Sequence, residues 1–520
     1  MYRVAPLVML VTACPAGQVA SETSHGQGDE VTAVGGSSGS GGVGGTAAGT
    51  GTATATAAGG STGGPADSAG SPTGGAGETG EPPLPGTVRF AVIGDYGLDL
   101  ESTREVAAMI TGWAPDFVAT VGDNNYFIGS AATIDVNIGK HYHAFIAPYQ
   151  GSYGLGATEN RFFPCPGNHD WDGGSLDPYL GFFTLPGNER YYQLRRGPVE
   201  LFFLDSDPRE PDGVAPETVQ GQWLEAALGE SDATFKVVLL HHPPRSSGYH
   251  RDSTWMQWPF AAWGADLVLG GHDHNYERIV ADGLPLLVNG ASGAALRPFV
   301  LETMGSQRGH SDSYGALRVT VDAEKLVAEF VAPGQLLIDR VTLFAGAPEQ
   351  WAPLVATGAT WRYAEHDPGP GWSAPEFADA GWASGAAPLG YGVGGEGTML
   401  PGGGLPVKPM TTYLRHHFVA DAESFVAGAP LRLRLAVDDG AVVYLNGAEV
   451  YRINLPEGAV TRGTRAVRTV GDWFAPRMSE TLIAGDDLVA GDNVLAVEVH
   501  QHFVYSSDLR LELELAAGVP

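Results

Sequence analysis

Cysteine is almost missing from this chain: its 520 residues include two, Cys14 and Cys165. With Cys14 in a leader-like N-terminus, Cys165 is the one remaining thiol, which excludes an intramolecular disulfide. A chain this long can draw its stability from core burial instead. Basic residues are scarce as well, 29 Lys and Arg against 59 Asp and Glu, for a formal charge of −30. That balance excludes nucleic acid or an anionic membrane surface as a partner, because both need a basic footprint. It also excludes global steering of anionic substrates. Any anion site must be locally positive, and bound metal cations are one way to make it so.

The N-terminal apolar run, Val4 to Ala13, is too short to span a bilayer. Arg3 is its only charge, and small residues precede Cys14. The string Val11-Thr12-Ala13-Cys14 resembles a bacterial lipobox, which implies an exported lipoprotein anchored to membrane through Cys14, at the outer membrane or cell surface. The alternative is an ordinary secretory signal and a periplasmic or secreted protein. From Pro15 to about Gly86 the chain is Gly, Ala, Ser, Thr and Pro, and between Gly35 and Pro83 its one large aliphatic side chain is Val43. Such a stretch cannot bury enough apolar surface to offset its ordering entropy and reads as disordered. As a tether, roughly 50 such residues have an end-to-end distance of about 40 Å.

Beyond it the texture becomes α/β, with short apolar runs alternating with helical patterns. Strands are expected at Arg89–Ile93, Phe117–Val121, Arg161–Pro164, Val199–Leu204, Lys236–Leu240, Asp266–Leu269 and Leu284–Val288. Helices are expected near Ser102–Trp113 and Val219–Leu228, and antiparallel strands over Gly315–Leu343. After Pro348 the pattern is β only, with a hairpin at Asn446-Gly447. The expected organisation is a leader over 1–14, a linker over 15–86, an α/β domain over 87–345 and a β-sandwich over 350–516.

Five polar motifs end five of the apolar runs. They are Gly94-Asp95-Tyr96-Gly97, Gly122-Asp123-Asn124-Asn125-Tyr126, Gly167-Asn168-His169-Asp170, His241-His242-Pro243 and Gly271-His272-Asp273-His274. In layered α/β folds ligands gather beyond the carboxyl ends of strands, so these residues converge on one edge of the sheet. Asp, Tyr, Asn and His are hard-to-borderline metal ligands. Each motif alone is a common turn. Five in series, all strand-terminal, point to a metal site.

In this series the chain resembles the calcineurin-like metallophosphoesterases, and within them the purple acid phosphatases, over about Arg89 to Leu343. The resemblance implies a layered fold, a β-sandwich core flanked by helices, and two metal ions. It places one metal on Asp95, Tyr126 and His274, the second on Asn168, His241 and His272, with Asp123 between them. Asp95-Tyr96-Gly97 offers no histidine, and Tyr126 takes that place. A free tyrosine has a pKa of about 10, so phenolate ligation needs a strong Lewis acid. That implies Fe(III) at the Tyr126 site, with Fe(II), Zn(II) or Mn(II) at the second. Such a pair clamps a phosphate and activates water for in-line attack. His169 is then expected to bind the phosphate, and His250 to protonate the leaving group.

The expected activity is acid phosphatase action on small phosphate monoesters, with no nucleic-acid partner. Phosphodiesterase or nucleotidase activity on the same core is the alternative, as is a surface-binding protein with a vestigial phosphoesterase domain. The C-terminal region resembles galactose-binding-like jelly rolls, on Asp438-Asp439-Gly440-Ala441, Tyr444-Leu445-Asn446-Gly447, Asn493-Val494-Leu495-Ala496 and Ser506-Ser507-Asp508. That resemblance implies a carbohydrate or cell-surface ligand. Trp361, Trp372, Trp382 and Trp473 are candidates either for stacking on a sugar or for packing.

Overall fold

The computed structural model describes residues 86–471 and 474–519. The leader with Cys14, the low-complexity stretch up to Pro85, and Trp473 lie outside the described residues. Among the described residues, no helix is long and apolar enough to cross a membrane.

The first lobe runs through β1 (Val88–Ile93), β2 (Phe117–Thr120), β3 (Phe162–Pro164), β4 (Tyr192–Arg196), β5 (Val199–Phe203), β6 (Phe235–Leu239) and β7 (Leu267–Gly270). It closes with β8 (Tyr276–Ala281), β9 (Leu284–Asn289), β10 (Ser306–His310), β11 (Ala316–Val321), β12 (Lys325–Ala332) and β13 (Leu336–Phe344). These strands form two mixed sheets, in the orders β13-β12-β11-β1-β2-β3 and β10-β8-β9-β7-β6-β5-β4. Strands β1, β2 and β3 are parallel in the first sheet, and β5, β6, β7 and β9 in the second.

The period of two along each strand builds the layers. Leu201, Phe203, Val237, Leu239, Leu267 and Leu269 join the large core shared with the first sheet. Their neighbours Phe202, Leu204, Val238, Leu240 and Val268 face a second core with Leu224 and Leu228. Those two leucines come from the helix Val219–Glu230, whose Trp223 packs half-buried beside them. Burial on both faces is why these strands read as unbroken apolar runs. The helix Glu101–Trp113 packs Val106, Met109 and Ile110 at helical spacing into the large core. It ends where Ala114 turns left-handed before Pro115.

One expectation needs correction. The five motifs do not share one sheet edge: three follow strands of the first sheet and two follow strands of the second. The hairpin of β4 and β5 starts the second sheet, and β4 was not anticipated from the sequence. Strand β8 was missed for a chemical reason. It carries Glu277 and Arg278, yet both are buried. Glu277 accepts from the Ser247 amide at 2.8 Å, and Arg278 pairs with Asp339 at 3.0 Å.

The second lobe is all β: β14 (Trp351–Val355), β15 (Thr360–Ala364), β16 (Ala383–Ala386), β17 (Leu389–Tyr391), β18 (Thr398–Met399) and β19 (Thr411–Ala420). It continues with β20 (Gly428–Asp438), β21 (Gly440–Leu445), β22 (Ala448–Ile453), β23 (Ser479–Gly485), β24 (Gly491–His500) and β25 (Leu509–Gly518). One sheet has the order β18-β17-β25-β20-β23, with β14 also on β25; the other is β16-β15-β19-β24-β21-β22. Leu431, Leu433, Leu435 and Val437 of β20 enter a core that residues of both sheets share, whereas Arg432 and Arg434 pair with Glu514. The β21–β22 turn has positive φ at both Asn446 and Gly447, as a type I′ hairpin demands. Trp361 is core, Trp372 packs on Tyr413 and Tyr444, and Trp382 packs on Phe377. The packing alternative holds for Trp361, while Trp372 and Trp382 are half-buried.

The lobes touch through Arg278, which donates to the Glu480 carbonyl, and through Phe299 against Phe474. Among the described residues, Asp339 is the one buried carboxylate paired with Arg278. Asp339→Ala should therefore cost about 3–5 kcal/mol of stability. Denaturant unfolding of the variant against the parent measures it, and a loss below about 1 kcal/mol would show that Arg278 is not desolvated.

Candidate metal centre

The turns that follow β1, β2, β3, β6 and β7 deliver Asp95, Asp123, Asn168, His241 and His272 to one place. Their backbones are shaped for it. Asp95, Asp123 and His272 have φ of 55°, 54° and 69°, in the left-handed region that side chains other than glycine seldom occupy. Such strain, of order 1–3 kcal/mol per residue, persists only where the surroundings enforce it. The enforcement is visible at Gly122, where a Cβ would stand 2.6 Å from His241 Nδ1. At Gly167 a Cβ would overlap the Asp123 amide nitrogen and Oδ1.

Three donor atoms form one group. Tyr126 Oη lies 3.2 Å from Asp95 Oδ1 and 3.2 Å from His274 Nε2, and the last two are 3.4 Å apart. A second group surrounds His241 Nε2, with Asn168 Oδ1 at 3.1 Å, His272 Nδ1 at 3.2 Å and Asp123 Oδ1 at 3.3 Å. Asp123 lies between the groups, since donor atoms of Asp95, Asp123 and His241 all lie within 4.8 Å of one another. Donors bound to one cation at about 2.1 Å stand roughly 3.0–3.4 Å from each other. Both groups have that spacing.

Proton accounting leads to the same chemistry. His274 Nδ1 donates to the Ala295 carbonyl at 2.8 Å, and His241 Nδ1 to the Val121 carbonyl at 2.9 Å. Each therefore turns an Nε2 lone pair inward, the orientation that metal-binding imidazoles take. Around it stand carboxylate and amide oxygens that can only accept. This is a surplus of lone pairs and a deficit of positive charge. Without a cation, a proton makes up part of the deficit: burial opposes it, yet Asp123 and Asp95 push His241 up to about 10. Burial and the same carboxylates hold the Tyr126 phenol above its ordinary value, so phenolate ligation requires a cation. The residues fit a pair of metal ions.

Around the centre, Asp170 Oδ2 accepts from the amides of Gly167 and Asn124 and from Asn124 Nδ2, tying two motif turns together. Asp273 accepts from Ser246 Oγ and from the His250 amide at 2.8 Å, which fixes the loop before His250. His169 Nδ1 lies 2.6 Å from the Phe127 carbonyl, and Nε2 turns toward Asp123 at 3.9 Å. His250 stacks 4.0 Å from the His272 ring, but its Nε2 accepts from Arg297 at 3.2 Å. Burial, and then Arg297, lower its pKa. In this arrangement any proton that His250 gives must leave from Nδ1.

Ser206 and Arg209 at the site were not anticipated. Ser206 accepts from the amides of His241 and His242, so its hydroxyl proton goes to His242 Nδ1 at 3.0 Å. That leaves His242 Nε2 as a donor, with the ring 4.6 Å from His272. A signal for Ser206 was present, because Asp205-Ser206-Asp207 ends an apolar run just as the five motifs do. Arg209 donates to the Asn168 carbonyl at 3.0 Å and pairs with Asp207 and Asp172. Trp255 donates to the Ser206 carbonyl and stands 5.4 Å from His242, so it walls the site, whereas Trp258 and Trp263 pack in the core.

Residues 88–276 match the family of calcineurin-like phosphoesterases. The chain carries a calcineurin-like metallophosphoesterase domain. It is 27% identical over 250 residues to purple acid phosphatase 17 of Arabidopsis thaliana, covering 41% of this chain and 70% of that protein. Tartrate-resistant acid phosphatase type 5 of Mus musculus is 23% identical over 251 residues, covering 41% and 74%. Among solved structures, a purple acid phosphatase from yellow lupin (Lupinus luteus) aligns at 18% identity, covering 50% of this chain and 55% of that one, with a TM-score of 0.41. The homologues support a phosphoester hydrolase.

The crowding at Gly167 yields a test. Gly167→Ala must push Asp123 away from its place between the donor groups. Purified variant should hold at most about half the parent's metal by elemental analysis, with an unchanged circular dichroism spectrum. Full metal content would show that the loop moves without the carboxylate.

Proposed function

We propose that this protein is an acid phosphatase that hydrolyses small phosphate monoesters at two metal ions. Asp95, Tyr126 and His274 would hold one, Asn168, His241 and His272 the other, with Asp123 shared. The observation that carries the reading is Tyr126 Oη, within 3.2 Å of both Asp95 Oδ1 and His274 Nε2. A phenol among first ligands selects a strongly acidic cation, which favours Fe(III) there and Fe(II), Zn(II) or Mn(II) at the second position. When bound, such a pair supplies Lewis acidity toward phosphate and water. The protein's own groups do the rest. The Nε2–H of His242 faces the centre and suits a non-bridging phosphate oxygen. His169, whose Nδ1 proton goes to the Phe127 carbonyl, would donate from Nε2 when that atom also carries a proton. Trp255 limits solvent on one side.

Pure protein should contain about two metal ions, at least one of them iron, and show a broad visible absorption band. It should hydrolyse 4-nitrophenyl phosphate faster than bis(4-nitrophenyl) phosphate, and Tyr126→Phe should lose the band. A colourless, iron-free protein fully active with zinc would overturn the iron assignment. Faster diester turnover would favour the diesterase alternative.

We also propose that the protein is exported and held at a membrane by acyl chains on Cys14, with the low-complexity stretch as spacer. The lipobox-like string carries this reading. Cys14→Ser should move the protein from the membrane fraction to the soluble fraction. Parent protein that is already soluble would overturn it.

A further inference from the structure

Arg297 stands at the mouth of the centre without an acidic partner. Its amide donates to the His274 carbonyl at 2.9 Å, so its backbone is pinned beside a metal-ligand candidate. Its Nη1 donates to His250 Nε2 at 3.2 Å, and the His250 ring is 4.0 Å from that of His272. The guanidinium carbon lies 5.1 Å from the centre of the Tyr249 ring, a cation–π distance. That stack, with the His250 contact, holds the side chain toward the site. Among the described residues no carboxylate lies within ion-pair distance of it. Arg209, also at the centre, shows the contrast, with Asp207 at 2.7 Å and Asp172 at 3.0 Å.

An arginine carries five N–H donors in a planar fork that suits carboxylate or phosphate oxygens, and Arg297 commits one side-chain donor to the protein. Its charge does not vary with pH in the working range. Because His250 lies between its guanidinium and His272 of the metal-ligand cluster, the fork is offset from where the reacting phosphate would sit. What it can reach is the group attached to that phosphate.

We propose that Arg297 is a specificity-determining residue that selects phosphate esters whose leaving group carries a second anionic group, a carboxylate or another phosphate. The proposal rests on the phosphoesterase reading above. Tyr249, exposed beside it, keeps the guanidinium presented rather than folded onto the acidic surface.

Matched substrates test this on the full-length, metal-loaded protein. For the carboxylate arm they are 3-phosphoglycerate and glycerol 3-phosphate, which differ by a carboxylate in place of an alcohol. For the phosphate arm they are propane-1,3-diol bisphosphate and its monophosphate. Parent enzyme should prefer the more anionic member of at least one pair in kcat/KM, and the arm that does so identifies the group. Arg297→Gln should lower that preference roughly 10-fold, chiefly through KM, as loss of a charge-assisted hydrogen bond implies. Arg297→Lys should restore part of it. Equal losses on both members of each pair would mean that Arg297 only orients His250 and would overturn the proposal. So would a parent enzyme that hydrolyses all four esters without discrimination. No hydrolysis of these esters or of 4-nitrophenyl phosphate would overturn the phosphoesterase reading itself, and the proposal with it.

Discussion

Asp123 brings a carboxylate into a fully buried position that only positive charge can satisfy. Burial alone would raise its pKa, but His241, then His169 and His272, hold it below the ordinary carboxylate range. The neighbouring donors, Tyr126, Asn168 and the inward lone pairs of His241 and His274, add acceptors and no cation. Much of the first lobe works to keep this imbalance in place. Five strand ends meet there, left-handed turns aim the side chains, and glycines remove the Cβ atoms that would separate them. A carboxylate and imidazole cluster of this kind is costly in an apo chain, and metal binding would return that cost as affinity.

Two sheets, rather than one, answer the geometric problem. Ligands on one parallel sheet would be strung along its edge at the strand spacing of about 4.8 Å. Facing sheets instead bring His241 and His272 opposite Asp123 and Asn168, so that donor atoms approach to 3.1–3.3 Å. The apolar faces that hold the sheets together include those of β1, β2, β3, β6 and β7, whose ends carry the candidate ligands. Core packing and ligand geometry are therefore set by the same strands.

The local positive charge that an acidic protein needs at an anion site comes from few residues. Arg209 is committed to aspartates and to the Asn168 carbonyl, and its work is to brace that loop. Arg297 has no such commitment. The second lobe adds a separate core and reaches the first through Arg278, Arg477 and Phe474, none of which contacts the ligand cluster.

Much of this was legible in the residues alone. The apolar runs that became β1, β2, β3, β5, β6, β7 and β9 are short, β-branched or aromatic and buried on both faces, so periodicity and turn residues locate them. The motifs that end five of those runs contain all seven candidate ligands, and the resemblance to metallophosphoesterases selects them from the other polar residues there. Strands such as β8 were hidden because their charges, Glu277 and Arg278, look exposed until Ser247 and Asp339 are found opposite them. Ser206, the acceptor role of His250 Nε2 and the isolation of Arg297 were equally hidden. Each depends on which groups meet across 30 to 50 residues of intervening chain, and pairing of that kind leaves no period in the sequence. The sequence by itself placed metal-ligating side chains at five strand ends, and its family resemblance chose seven candidates among them. Tertiary structure alone decided that the set divides between two sheets, which proton each imidazole keeps, and that Arg209 at the site is paired with acids while Arg297 is not.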